Sequence, residues 1–145
     1  MTATASTSRT VADVRVGDEI EPVDFPITVY RLVMEAGANR DFNSIHHNTE
    51  YARATGAPEM YANTLFLMGM WERAVRDWMG PAGQFVAIRG FRMGRFNTAG
   101  RTTTVRGQVT AIDADTGLVT LSLRCEDPDG VTVGPGEVDV RLPRG

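Results

Sequence analysis

The spacing of apolar residues changes character along the chain, and those changes divide it into elements. Val14 to Ile20 carries a turn signal at Gly17-Asp18 and leads into a short strand through about Phe25. Leu32, Val33 and Ala36 then recur at helical spacing behind Thr28, a good capping residue type, which predicts a helix over 29–37 stopped by Gly37. Asn48 or Thr49 caps a short helix carrying Tyr51, Ala52 and Ala54, closed by Gly56 and Pro58. The longest helical pattern covers 62–79, roughly 27 Å at the helical rise. Its first half, Ala62 to Met70, has no charge on any side, which predicts burial nearly all round. Its second half sets Glu72, Arg73, Arg76 and Asp77 against Trp71, Val75 and Trp78, before Gly80-Pro81 ends it.

From Gln84 onward the pattern is that of strands. Phe85 to Phe96 is mixed on both faces, whereas Thr102 to Ile112 alternates, with Val105, Gly107, Val109 and Ala111 on one side. Asp113 to Gly117 reads as a hairpin turn, and Val119, Leu121, Leu123 and Cys125 share the next strand's inner face. Cys125 is therefore expected in the core. After a second turn at Asp127-Pro128-Asp129-Gly130, the apolar phase flips across Gly134-Pro135-Gly136, the mark of a bulge. One strand, helices, then four antiparallel strands against one apolar helix is an α+β layout.

Composition narrows the class without naming a chemistry. A chain of 145 residues suits one domain, expected over 11–145, behind a Thr/Ser/Ala-rich tail at 1–10. That tail lacks the apolar centre of a secretory signal, and no run approaches ~18 apolar residues, so a cytoplasmic location is expected. The net charge of -3 argues against general affinity for nucleic acid. All basic residues are arginine, whose planar fork suits phosphate. Two adjacent histidines and a distant cysteine make a poor metal set, so neither metal nor other cofactor is expected.

The chemistry concentrates in Asp41-Phe42-Asn43-Ser44-Ile45-His46, followed by His47, just after the first helix. A carboxylate and an imidazole converging on one water could add it across a polarised double bond, or remove it in reverse. An Asx-turn with a surface histidine is the alternative reading of the same residues.

The run Asp41-x-Asn43-x-Ile45-His46, with Ala52 beyond it, resembles the signature of MaoC-like (R)-specific enoyl-CoA hydratases, with Ser44 where that signature has proline. The stretch from Arg40 to Gly107 is similar to one branch in particular. That branch is the small catalytic subunit of actinobacterial two-chain steroid side-chain hydratases. The resemblance implies a single hot-dog fold, a curved antiparallel sheet wrapped around one long central helix. It implies Asp41 and His46 as the acid/base pair, with Asn43 orienting the loop or its water. It also implies an oxyanion donor at the start of the long helix, where the family commonly has Ala-His-Gly. Here the run is Ala62-Asn63-Thr64, which makes the Thr64 N–H the candidate beside Asn63.

The implied substrate is a bulky, steroid-derived acyl-CoA, and the implied partner a second MaoC-like chain, with a homodimer as the alternative. Arg89 and Arg92, with Arg95 nearby, are candidates for the CoA phosphates, or else solvated arginines at a strand end. Two other functions remain open on the sequence: a 3-hydroxyacyl-thioester dehydratase of fatty-acid synthesis, and a non-catalytic acyl-CoA-binding subunit.

Overall fold

The structure, a computed structural model, describes residues 7–145. Strand β1 (Val23–Pro26) is followed by helices α1 (Val29–Ala38), α2 (Thr49–Ala54) and α3 (Thr64–Met79). Strands β2 (Gln84–Arg89), β3 (Thr102–Asp113), β4 (Leu118–Asp127) and β5 (Gly130–Arg141) complete the chain. The five strands form one antiparallel sheet in the order β1-β3-β4-β5-β2.

Helix α3 lies against the inner face of this sheet. Leu67, Met70, Trp71, Val75 and Met79 pack on Val105, Val109, Leu121, Leu123 and Val138 in one continuous core. The Trp71 indole N–H donates to Cys125 Sγ at 3.1 Å, and Cys125 is fully buried, as its place in the strand pattern predicts. On the solvent side, Glu72–Arg76 at 2.7 Å and Arg73–Asp77 at 2.8 Å are paired one helical turn apart. Gly107 of β3 has a packing reason. A Cβ there would stand 2.4 Å from Leu123 and 3.1 Å from Ile20, which occupy its place.

Several expectations need correction. Helix α3 begins at Thr64, two residues later than predicted, because Asn63 caps it by accepting the Phe66 N–H at 2.7 Å. Its first half is not buried all round: Thr64 and Gly69 are exposed, and Leu65 is 57% exposed. Absence of charge there marked an apolar surface, not an enclosed one. The strand after Gln84 ends at Arg89 instead of continuing to Phe96. Ala111 is exposed because the β3–β4 register shifts between Val109 and Ala111, which turns Ile112 toward the core instead. The bulge expected in the last strand is present, where Leu123↔Gly136 and Cys125↔Val133 are successive pairings.

The tail expected at 1–10 falls partly outside the described residues, at 1–6. Residues 8 and 9 are tied to the end of α3. Arg9 donates to the Trp78 and Met79 carbonyls, and the Ser8 hydroxyl accepts the Ala82 N–H. Among the described residues, no helix is long and apolar enough to cross a membrane.

Candidate active site

The site begins where α1 ends. The Arg40 N–H bonds the Gly37 carbonyl at 3.2 Å, and the Asp41 N–H bonds the Ala36 carbonyl at 2.9 Å. These are the paired bonds of a Schellman turn. The helix therefore runs past Gly37, and the left-handed residue is Arg40, at φ 55°. Glycine is the usual occupant of that conformation, and another residue there costs ~1 kcal/mol. Asp41 is thus held by its backbone directly behind a strained position.

Asn43 organises the next step. Its Oδ1 accepts the Ile45 N–H at 3.2 Å and caps the 3-10 turn Ser44–His46. That turn carries the His46 ring inward, where it is 6% exposed. His46 Nδ1 lies 2.8 Å from the Tyr61 carbonyl oxygen. A carbonyl only accepts, so Nδ1 carries the hydrogen, a tautomer assigned from its partner. Nε2 then faces Asp41 Oδ2 at 3.1 Å. Facing lone pairs at that distance would repel, so a hydrogen bond between the two groups needs a proton on one of them.

His47 is exposed, with Nε2 3.3 Å from the Phe42 carbonyl, and takes no part in this contact. Asp41 and His46 open on a cavity of about 220 Å³, which Tyr61, Asn63, Thr64 and Met93 also line. The N terminus of α3 therefore meets Asp41 and His46 at this cavity. Two of its first four N–H groups are occupied: Phe66 bonds Asn63 Oδ1 and Leu67 bonds the Asn63 carbonyl at 3.2 Å. Among the described residues, nothing accepts the Thr64 N–H. A free helix N-terminal N–H favours developing negative charge.

The arginine candidates separate. Arg89 is engaged by both Asp139 and Glu137, so its charge is already compensated and its fork occupied. Arg89 also holds the Asp139 carboxyl below its usual range, against the opposing effect of burial. Arg95 pairs with Asp127 and Asp129 at 3.5 and 3.6 Å. Arg92 is exposed, has no side-chain partner among the described residues, and adjoins Met93 at the cavity.

No family model matches the chain. Over 92 residues, 63% of this chain and 69% of the relative, it is 37% identical to the 3-oxo-4,17-pregnadiene-20-carboxyl-CoA hydratase beta subunit of Mycobacterium tuberculosis. A chain of the ChsH1–ChsH2 complex from the same organism superposes with a TM-score of 0.82 at 30% identity, covering 88% of this chain and 98% of that one. The chain belongs to the MaoC-like hydratase family. The unliganded R-hydratase PhaJ1 of Pseudomonas aeruginosa, at 21% identity and a TM-score of 0.84, covers 94% of this chain and 86% of its own, and shares the fold. The sheet around α3 is thus the hot-dog fold of that family.

Within this MaoC-like site, sequence reasoning passed over Tyr61 and Asn39. The Tyr61 ring stands edge-on to His46, with centroids 5.4 Å apart and planes at 81°, and leans on Phe96 at 4.6 Å. Burial, then the negative charge of Asp41, holds its phenol above the ordinary value of 10.0. Asn39 reaches across from the end of α1 to Asn63. Neither sits in a periodic or spaced pattern. Only the pairing of Asn39 with Asn63, each a capping residue type at a helix end, hinted that those ends meet.

Proposed function

We propose that this chain is a hydro-lyase that adds water across the double bond of a 2-enoyl-CoA carrying a bulky, steroid-derived acyl group. The observation that carries this reading is the 3.1 Å contact between Asp41 and His46 beside the N terminus of α3. Asp41 accepts a proton from water as its oxygen attacks C3. The proton already held in the pair passes from His46 to C2. One proton enters the pair as one leaves, so both groups end as they began. Charge gathers meanwhile on the thioester oxygen, where the Thr64 N–H meets it. Such donors are worth ~10²–10³-fold in rate.

The acyl group and the assembly rest on further support. The M. tuberculosis relative is named a hydratase of a pregnadiene carboxyl-CoA, and the similar solved chain lies in a two-chain complex. Leu65, Tyr30 and Met34 expose more than half their surface, and a hollow of about 320 Å³ lies among Tyr30, Met34, Phe25 and Phe66. A second MaoC-like chain closing over this surface supplies the remainder of the acyl pocket. Arg92 stands as the candidate contact for a CoA phosphate.

The test is hydration of a 2-enoyl-CoA, followed by loss of the enoyl thioester absorbance, with this chain alone and with a co-expressed MaoC-like chain. Asp41→Asn keeps the shape but cannot take a proton, so turnover falls by ~10²–10⁴-fold with the fold unchanged. His46→Ala is comparably damaging, whereas His47→Ala is mild. Near-wild-type turnover in Asp41→Asn removes Asp41 from the mechanism. A fully active homodimer, indifferent to the second chain, removes the two-chain assembly and spares the hydratase.

A further inference from the structure

The side chain of Asn63 is 94% buried by its 6% exposure, and its two polar atoms have different fates. Oδ1 accepts two bonds, from the Phe66 N–H at 2.7 Å and from Asn39 Nδ2 at 3.4 Å. The Asn39 amide is itself oriented, because Nδ2 also donates to Glu35 Oε2 at 2.9 Å, and a carboxylate only accepts. Glu35, one helical turn before Asn39 on α1, thereby sets which way the Asn39 amide faces. Asn39 in turn donates to the same oxygen as the Phe66 N–H and so reinforces which way the Asn63 amide faces. The remaining group, Asn63 Nδ2, has no acceptor among the described residues, yet no buried side-chain polar atom there lacks a partner. Its outlet is the cavity that Asn63 lines with Asp41, His46 and Thr64.

We infer that the Asn63 amide is a second donor of the oxyanion hole, beside the Thr64 N–H, and that Glu35 and Asn39 are positioning residues that turn its NH2 into the cavity. This rests on the hydratase reading above and adds to it. An enolate oxygen, borne on a planar carbon, accepts two hydrogen bonds readily, one from backbone and one from a rigid amide. A donor held in place before reaction needs no reorganisation as charge develops. Asn63 therefore does two things with one side chain: its oxygen caps α3 and its nitrogen faces the substrate. The Phe66 N–H keeps these from being exchanged by a flip of the amide, and Asn39 reinforces that orientation from the other side. It also adjoins the strained Arg40 and Asp41, so one short stretch sets both the base and the oxyanion donor.

Asn63→Asp and Asn63→Ser separate the two tasks, since both retain an oxygen that caps a helix and both lose the NH2. The expected result is an unchanged melting temperature with kcat lowered about a hundredfold on a 2-enoyl-CoA, and KM changed far less. Asn39→Ala loosens the Asn63 amide about its remaining bond from the Phe66 N–H, and kcat falls up to about tenfold with the same split. Glu35→Gln, which can donate as well as accept, has a smaller effect in the same direction. Either Asn63 variant retaining wild-type kcat overturns the inference while leaving the hydratase intact. A loss of kcat that only tracks a falling melting temperature overturns it too, because the role is then structural. A wild-type chain that hydrates no enoyl thioester, alone or with a second MaoC-like chain, overturns the parent reading and this one together.

Discussion

The two ends of α3 are built to opposite specifications. From Met70 to Met79 the helix is amphipathic: Trp71, Val75 and Met79 are sealed against the sheet, and Glu72–Arg76 and Arg73–Asp77 cover the outside. That end is also strapped by Arg9, whose guanidinium lies 5.4 Å from the Trp78 ring and donates to its carbonyl. From Thr64 to Gly69 the helix has no charge, yet Leu65 faces outward and the Thr64 N–H has no acceptor among the described residues. One end satisfies its own polar groups and buries its own apolar ones. The other leaves both kinds of group open, beside Asp41 and His46. A local failure of the rules that stabilise a fold marks where the molecule deals with something other than itself.

Two leucines, two residues apart in sequence and so on opposite faces of the helix, give the sharpest contrast. Leu67 is fully buried and Leu65 is 57% exposed. Leu67→Asp places an unpaired carboxylate in the core at several kcal/mol, a large part of a domain's stability, and insoluble protein is the expected outcome. Soluble, cooperative Leu67→Asp protein would remove α3 from the centre of the fold. Arg40→Gly acts in the other direction. Relief of the left-handed conformation at φ 55° raises stability by ~1 kcal/mol, read as a higher denaturant midpoint with an unchanged slope. A lower midpoint would mean that the arginine side chain contributes more than its backbone costs.

Leu65→Ser is the smaller companion to Leu67→Asp, with stability within about 0.5 kcal/mol of wild type for this chain alone. Its effect belongs in assembly with a second chain, measured by light scattering, and a large loss of stability would mean that Leu65 already serves the core. The smallest effect is a null one. Burial pushes the Cys125 thiol up to about 12, with the Trp71 indole opposing, so the native protein is inert to alkylation at pH 8. Rapid native-state labelling would show that the sealed end opens readily.

Much of the fold was legible in local pattern. Thr28 caps α1, strand β3 starts at Thr102, both hairpin turns fall at the predicted residues, and the phase flip near Gly134-Pro135-Gly136 is a bulge. These features depend on neighbours a few residues away, which the sequence displays side by side. Where the reading failed, the cause was a remote contact or an extra residue. The exposure of Ala111 follows from a register shift against β4, and Arg89 is claimed by a carboxylate on β5.

The candidate residues Asp41, Asn43 and His46 were visible together, since they lie within one short loop. What the loop faces was not. His46 is oriented by a carbonyl 15 residues away, Asn39 meets Asn63 across 24, and Arg89 meets Asp139 across 50. By itself the sequence determined the order of elements, the layer architecture and the residues able to move protons. Those follow from spacing and side-chain chemistry, which are properties of the chain. Only the tertiary structure decided which imidazole nitrogen meets Asp41, which way the Asn63 amide turns, and which arginines remain unclaimed. Each of those is a competition among partners for one hydrogen bond or one charge, and its outcome depends on distances that exist only once the chain has closed around α3.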